Sequence, residues 1–248
     1  MSYNPFTIEG KTILITGASS GIGRATAIEC AKMGAYCVIT GRNVERLQET
    51  YNQLEGEGHL QIIADLADPA ALENLVIACP TLDGVVNNAG MMITKPIPFL
   101  KQKDLDTIFG TNTFAPVLLT KLLMKQKKIN RGGSIVFTSS IATTKGVVGN
   151  SSYGMTKAAV EVFAKYCALE FADKKIRVNS IHPGMIETKL IHDGALSDED
   201  MQRDLQNYPL GRYGHPEEVA WAIIYLLSDA SVWVTGNSQI IDGGCHLS

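Results

Sequence analysis

The sequence predicts a doubly wound α/β domain, in which helices cover both faces of a parallel sheet of about seven strands. Short β-branched runs alternate with longer stretches of helical periodicity almost from one end of the chain to the other. These runs are apolar on both faces, which is typical of strands buried in a parallel sheet. No internal repeat and no linker rich in Pro, Gly or Ser divides the chain, so residues 1–248 are expected to form a single domain.

The alternating runs define the expected elements. Strands are predicted at 12–16, 36–40, 60–63, 84–87, 134–138, 177–181 and 238–241. Helices are predicted at 21–33, 44–54, 70–78, 103–127, 153–171 and 217–227. A long segment at 185–210, acidic in its middle, follows a strand end. Because long insertions of this kind often cover a site, we interpret it as a substrate lid.

The composition excludes several classes of protein. The chain has 22 basic and 25 acidic residues and a net charge of −3, without the basic excess typical of nucleic-acid binders. Five scattered cysteines have neither zinc-ligand spacing nor the even number of a disulfide framework, so reduced thiols and no metal site are expected. No signal pattern and no apolar run of membrane-spanning length is present, which predicts a cytoplasmic protein.

A glycine-rich turn with the spacing G-x-x-x-G-x-G follows the first predicted strand and opens a helix. Its glycines permit a tight turn, close approach of the backbone to a pyrophosphate, and close packing of helix on strand, while the helix N-terminus attracts negative charge. The pattern therefore favours a dinucleotide site over a plain strand-to-helix connection. The residues expected to bind are Gly17, Ser19, Ser20, Gly21, Ile22 and Gly23.

The end of the second predicted strand indicates which dinucleotide is bound. An acidic residue there would bind the ribose hydroxyls of NAD and repel a 2′-phosphate. This chain instead has Gly41, which leaves space, followed by Arg42, whose guanidinium suits a phosphate. We therefore expect NADP(H), with NAD(H) as the alternative in which Arg42 is only a solvated residue at a helix start.

Two further strand ends contribute to this edge of the sheet. Asp65, beside Leu66, follows the third strand and could accept a hydrogen bond from an adenine amino group, whereas Asp68 suits a helix N-cap. The fourth strand ends at residues 87–90, Asn-Asn-Ala-Gly. Asn88, Ala89 and Gly90 are expected near the ribose, although a purely structural role for the amides fits equally well.

Tyr153 and Lys157 stand at i and i+4 in a predicted helix, so their side chains share one face. An ammonium beside a phenol favours the phenolate and would lower the tyrosine pKa toward neutral pH. Such a tyrosine can exchange a proton with an alcohol oxygen, which a serine hydroxyl can also hold. Ser140 lies thirteen residues before Tyr153. The neighbouring Ser139 should point to the opposite face of the strand.

In their order and separations, these motifs resemble those of the short-chain dehydrogenase/reductase family, from Gly10 to Gly244. The pattern is closest to that of 3-oxoacyl-[acyl-carrier-protein] reductase-like members. The residues that carry the resemblance are 16–23, Asp65, 87–90, Asn112, Ser140, Tyr153, Lys157 and 183–188.

The resemblance implies a Rossmann fold and an NAD(P)-dependent oxidoreductase that reduces a ketone with NADPH. Tyr153 would be the general acid/base, Lys157 would lower its pKa and hold the nicotinamide ribose, and Ser140 would polarise the carbonyl. Further cofactor contacts are implied at Pro183, Gly184, Ile186 and Thr188. The alternatives are an alcohol dehydrogenase that oxidises a steroid, sugar or polyol and, more remotely, a non-catalytic dinucleotide sensor.

The family resemblance and the local sequence both indicate that Asn112 takes part in a proton relay. Pro116, four residues later, has no N–H, so the carbonyl of Asn112 loses its helical partner and the helix should kink. In the family this position holds a water that joins the lysine to bulk solvent. A structural kink without a relay is the alternative.

The substrate pocket is expected to be apolar and adaptable, as suits a hydrophobic ketone. Several of its candidate residues could equally belong to the core. The candidates are Met91, Met92, Ile141, Ala142, Val147, Val148, Met185, Ile186 and Leu190.

Expected partners follow from charge and from the resemblance. A basic stretch at 121–131 either only keeps the surface soluble or docks an acidic acyl carrier protein, for which the resemblance implicates Arg131 and Lys174. The family is usually tetrameric, so a homo-oligomer is expected. An apolar helix face would suit a subunit interface or the core equally well: Val160, Phe163, Ala164, Cys167 and Phe171.

Overall fold

Seven parallel strands form the central sheet, in the order β3-β2-β1-β4-β5-β6-β7. The computed structural model describes residues 3–188 and 198–247. The predicted doubly wound sheet is confirmed. Its strands are β1 Thr12–Thr16, β2 Tyr36–Gly41, β3 Leu60–Ile63, β4 Leu82–Asn87, β5 Ile129–Thr138, β6 Arg177–Pro183 and β7 Ser238–Ile241.

Helices cover both faces of this sheet. The helices are α1 Gly21–Lys32, α2 Val44–Tyr51, α3 Pro69–Ala78, α4 Gln102–Phe109, α5 Ala115–Lys125, α6 Ser151–Glu170, α7 Asp198–Leu205 and α8 Pro216–Leu227. Core residues of α1, α2 and α8 pack on one face, and those of α3, α5 and α6 pack on the other. Asp68 caps α3 by accepting a hydrogen bond from the Ala70 N–H at 3.0 Å, as expected.

The alternation of side chains along each strand explains the two apolar layers. In β1, Ile13 and Ile15 point into the layer under α1 and α8, while Leu14 points into the opposite layer. β1 pairs with β2 through Ile13–Cys37 and with β4 through Ile13–Gly84. Because β1 lies between β2 and β4, the chain reverses its winding there and leaves a crevice at the carboxyl ends of these strands.

The predicted helix at 103–127 is interrupted where Pro116 led us to expect a kink. Residues Gly110–Phe114 form one π-helical turn between α4 and α5, in which the Ala115 N–H donates to the Gly110 carbonyl. The helix therefore contains a π turn, which is wider than an α-helical turn, and is not only bent. Such turns are commonly found at functional sites, and this one places Asn112 in the buried interior.

Part of the predicted lid lies outside the described residues. Within 185–210, residues 189–197, including Leu190, fall in this gap, and α7 follows it. The lid remains a prediction. Across residues 3–188 and 198–247, no helix has both the length and the apolar character needed to cross a membrane.

Candidate active site

A cleft of about 420 Å³ opens at the crevice between β1 and β4. Sixteen of its lining residues were predicted from the sequence: Gly17, Ser19, Ser20, Gly21, Ile22, Gly41, Arg42, Asp65, Leu66, Asn88, Ala89, Gly90, Met91, Tyr153, Lys157 and Thr188. The structure adds Thr40, Asn43, Arg46, Ala64, Thr111 and Thr138. Segments far apart in the chain thus meet along one edge of the sheet.

The glycine-rich turn holds α1 close to the end of β4. Gly17 has a φ of +68°, and a Cβ there would lie 2.8 Å from the Ala89 Cα. A Cβ on Gly23 would lie 2.3 Å from the Gly17 carbonyl oxygen, so this glycine serves helix packing. The Thr16 hydroxyl accepts hydrogen bonds from the Asn88 and Ala89 N–H groups at 2.9 and 3.0 Å. These bonds tie the end of β1 to the loop that follows β4.

The cleft has the features needed to hold a nicotinamide dinucleotide. Thr40 and Thr138 line it, and their buried hydroxyls have no hydrogen-bond partner among the residues that the structure describes. Such groups normally find a partner, and a polar ligand in the cleft would supply one. The N-terminus of α1 presents backbone N–H groups and positive potential suited to a pyrophosphate. The residues present therefore fit this cofactor.

Two guanidinium groups lie at the β2 end of the cleft. Arg42 is exposed, and its Nη1 lies 3.9 Å from Asp65 Oδ2. Asn43 caps α2 by accepting from the Arg46 N–H at 2.8 Å, which places Arg46 one helical turn beyond Arg42. We missed Arg46 in the sequence, although its i+4 spacing from Arg42 was a usable signal.

Ser140 and Tyr153 meet at the other end of the cleft. Their side chains form a hydrogen bond, and the Ser140 Oγ also accepts from the Ala142 N–H at 3.1 Å. Ser139 points away, as expected, and its hydroxyl donates to the Lys157 carbonyl at 3.0 Å. A Cβ on Gly154 would lie 2.9 Å from the Ala142 carbonyl oxygen, so the first turn of α6 packs tightly on the Ser140 loop.

The pKa of Tyr153 is raised above its usual value, contrary to our expectation. Burial, which disfavours the phenolate, is the main cause, and the hydrogen bond from Ser140 only partly offsets it. Lys157 Nζ lies 5.6 Å from the centre of the Tyr153 ring and donates to the Thr138 carbonyl at 2.8 Å. Burial lowers the pKa of Lys157 to about 8. The phenol is thus the weaker acid of the two.

The side chain of Asn112 joins three segments around this pair. Its Nδ2 donates to the Met91 carbonyl at 2.8 Å and to Thr156 Oγ1 at 3.1 Å. Its Oδ1 accepts from the Met91 N–H at 2.8 Å. A Cβ on Gly90 would lie 3.4 Å from both Asn112 Oδ1 and Lys157 Nζ, so the amide lies close to the lysine. The relay water remains a prediction.

Other predicted site residues lie away from the cleft lining. Gly184 follows β6, where its N–H donates to the Ile241 carbonyl and a Cβ would lie 2.8 Å from Asp242 Cβ. Pro183 ends β6 beside it. Ile186 lines a second cavity of about 120 Å³. Their cofactor contacts stay predictions.

The other predicted substrate residues differ in how deeply they are buried. Ile141 and Met185 pack on a small cluster of Tyr208, Tyr213 and Cys245, and the Tyr208 hydroxyl accepts from the Met185 N–H at 3.0 Å. We did not predict the two tyrosines from the sequence. Ala142 and Met92 are partly buried, whereas Val147 and Val148 are exposed.

Comparison with known proteins identifies the family. A family model described as enoyl-(acyl carrier protein) reductase matches residues 17–246. The 3-oxoacyl-[acyl-carrier-protein] reductase FabG of Rickettsia felis is 35% identical over 237 residues, which cover 96% of this chain and 97% of that protein. The chain belongs to the short-chain dehydrogenase/reductase family. It is therefore an oxidoreductase that uses a nicotinamide dinucleotide.

Further members of the short-chain dehydrogenase/reductase family are similar to this chain over nearly its whole length. Carbonyl reductase family member 4 of Danio rerio is 34% identical over 238 residues, covering 94% of this chain and 97% of that protein. A candidate short-chain alcohol dehydrogenase from Sinorhizobium meliloti superposes with a TM-score of 0.92 at 32% identity, covering 99% and 100% of the two chains. A candidate 2-deoxy-D-gluconate 3-dehydrogenase from Agrobacterium tumefaciens, solved with bound NADP, has a TM-score of 0.90 at 31% identity, with the same coverage.

Proposed function

We propose that the protein reduces a ketone to an alcohol with NADPH, and that a 3-oxoacyl thioester is its substrate. The observation that carries this proposal is the hydrogen-bonded pair Ser140–Tyr153, with Lys157 beside it, in a cleft that fits the dinucleotide. Two hydroxyls that converge on one point suit a carbonyl oxygen, which gains negative charge as hydride adds to the carbon. The FabG relatives favour the 3-oxoacyl substrate.

The raised pKa of Tyr153 suits the role of proton donor in this reduction. At neutral pH the phenol keeps its proton until the substrate oxygen becomes basic, and Ser140 donates a second hydrogen bond to that oxygen. The bound dinucleotide supplies the hydride. Because the pKa of Lys157 is about 8, proton transfer from its ammonium to the resulting phenolate is downhill. Asn112 holds the loop of Met91 in place and, as proposed, a relay water.

A substrate comparison tests the reaction class. Purified protein with NADPH is expected to consume the cofactor with an acetoacetyl thioester, and faster with acetoacetyl carrier protein than with a small thioester. A 2-enoyl thioester is the matched control, since hydride addition to its C3 places the negative charge on the thioester oxygen and the final proton on C2, whereas a 3-oxoacyl thioester develops the charge on an oxygen at C3, the atom that Ser140 and Tyr153 are proposed to hold. Turnover of the enoyl compound alone would contradict the proposal.

A second candidate is oxidation of a sugar or other alcohol by the same residues in reverse. The Agrobacterium structure, described as a gluconate-type dehydrogenase, motivates it. Assays with NADP and a panel of polyols, sugars and steroids distinguish the two functions. Preferred oxidation of any of these over thioester reduction would favour the second.

The cofactor preference is proposed to depend on Arg42 and Arg46 together. Both guanidinium groups line the β2 end of the cleft, where a 2′-phosphate would lie. Because a charge-assisted hydrogen bond contributes about 1.5–3 kcal/mol, Arg42→Ala and Arg46→Ala are each expected to weaken NADPH binding roughly 10- to 100-fold and to leave NADH binding unchanged. Arg131→Ala, at an exposed site on the opposite edge of the sheet, is the control. Equal losses for NADPH and NADH would refute the preference.

We propose a homo-oligomer, assembled through an exposed apolar stripe on α6. The stripe consists of Met155, Val162, Tyr166 and Leu169. These residues follow helical spacing and are 47–78% exposed on α6. The face considered from the sequence was a different one, since Val160, Ala164 and Cys167 are buried in the core.

Carrier-protein docking, if it uses Arg131 and Lys174, requires such an oligomer. Both residues are exposed and lie at the amino ends of β5 and β6, whereas Ser140 follows the carboxyl end of β5. Nine residues of extended chain span about 30 Å, so a docked carrier would face away from the cleft of the same subunit. We propose that it delivers its acyl group to a neighbouring subunit.

We also propose that the protein is located in the cytoplasm.

A further inference from the structure

A buried histidine lies directly behind the Ser140 loop. His182, on β6, is 3% exposed, and its Nδ1 lies 3.4 Å from Thr143 Oγ1. Thr143 Oγ1 in turn donates to the Ser140 carbonyl at 3.1 Å. The ring also forms a hydrogen bond with the backbone of Ser140. The segment that carries Ser140 thus rests on this imidazole.

The hydrogen bond to the backbone of Ser140 raises the pKa of His182, so the ring is the donor in that bond. Nδ1 is the ring nitrogen on the side of the Ser140 loop, 3.4 Å from Thr143 Oγ1, and we place the hydrogen there. Nε2 then accepts from the Ser180 hydroxyl at 3.0 Å, in place of the longer contact of that hydroxyl with Ser238 Oγ at 3.4 Å. Burial lowers the pKa of His182, which keeps the ring neutral at neutral pH.

The other side of the imidazole faces the helix that carries Tyr153. Glu161 follows Tyr153 and Lys157 in the same row of α6, at i+8 and i+4. Its Oε2 lies 3.9 Å from His182 Nε2. Its Oε1 accepts from Ser238 Oγ of β7 at 2.9 Å and from Lys165 Nζ at 2.8 Å. Besides Glu161, the charged groups that act on the ring are Lys165 and Lys157.

We propose that His182 is a positioning residue, whose Nδ1–H holds the Ser140 loop at the correct distance from Tyr153. The imidazole touches neither the cleft nor the reacting atoms. It lies between the Ser140 loop and α6, and Glu161 Oε2 is 3.9 Å from its other nitrogen. A change here would move the Ser140 hydroxyl relative to the phenol. The inference rests on the proposed function, because it assigns a role within that reaction.

Three substitutions test the proposal. His182→Asn can place an amide N–H where Nδ1–H stands, His182→Gln reaches only the Nε2 position, and His182→Leu fills the space without a donor. A displacement of about 1 Å at a reacting group can cost about 100-fold in rate. We expect kcat to fall roughly 10- to 100-fold in the Leu and Gln variants and to stay within about threefold in the Asn variant. The Kd of NADPH should stay within about twofold in all three.

A second measurement does not depend on the reaction. Because the Ser140 hydrogen bond lowers the pKa of Tyr153, loosening the loop should raise that pKa. Absorbance titration of phenol ionisation, with Tyr153→Phe subtracted in each background, should show the rise in the Leu and Gln variants but not in the Asn variant. Equal behaviour of Asn and Leu in both measurements would overturn the proposal, as would rescue by Gln alone. If the wild type turns over no ketone, the proposed function fails, while the titration still tests His182.

Discussion

Tyr153→Phe is expected to lower kcat for ketone reduction by at least about 1,000-fold. General acid catalysis contributes about 10²–10⁴ in rate, and the same hydroxyl also stabilises the developing oxyanion. The phenol lines the cleft and shares a hydrogen bond with Ser140, so its removal takes away both contributions. The Kd of NADPH should change little, because the cofactor contacts proposed for the phosphates and adenosine lie elsewhere in the cleft. Steady-state kinetics and a cofactor-binding titration measure the two effects.

Tyr36→Phe is the matched control for this variant. Tyr36 begins β2, at the end of the sheet opposite the cleft, and is 48% exposed, so loss of its hydroxyl should leave kcat within about twofold. Retention of more than a tenth of the wild-type kcat in Tyr153→Phe would show that another group donates the proton.

Lys157→Met is expected to abolish most of the activity while making the protein more stable at pH 7. Burial lowers the pKa of Lys157 from 10.5 to about 8, a shift equivalent to roughly 3 kcal/mol. Below pH 8 the folded protein therefore carries the cost of a buried ammonium. Loss of the hydrogen bond to Thr138 offsets about 1 kcal/mol of the gain. We expect the free energy of unfolding at pH 7 to rise by about 2 kcal/mol and kcat to fall by about 10²–10³.

The pH dependence of this stability has a definite sign. Between pH 8 and 10.5 the unfolded chain holds the lysine proton more tightly than the folded protein, so stability of the wild type rises with pH relative to the variant. The stability advantage of Lys157→Met should shrink across this window. Denaturant unfolding at pH 7 and pH 10 checks it, with the exposed Lys121→Met as control. A variant less stable than the wild type at pH 7 would contradict the argument.

The sequence predicted the main elements because their signals are local. The β-branched runs located all seven strands. The end of β2 carries Arg42 where an acidic residue would favour NAD, and Arg42 does line the cleft. The thirteen-residue separation selected Ser140 over Ser139, and the hydrogen bonds of both serines agree with that choice. Pro116 indicated an irregular helix at Asn112, although not that it would be a π turn.

Other features could not be read from the sequence because they depend on segments that meet only in the fold. Tyr208, which supports Met185, lies 23 residues away from it in the chain. Which side of α6 is core and which is exposed was left open by its pattern. An apolar face was visible, but the buried residues are Val160 and Ala164, while Tyr166 and Leu169 remain exposed.

By itself, the sequence determined the order of strands and helices, the dinucleotide turn and the pairing of Tyr153 with Lys157, because these depend on periodicity and short spacing. Only the tertiary structure decided the acid–base balance of that pair. Burial raises the pKa of Tyr153 and lowers the pKa of Lys157. Desolvation is produced by everything that packs around a group, and the neighbours of Lys157, from Thr138 to Gly90 and Asn112, come from three separate parts of the chain.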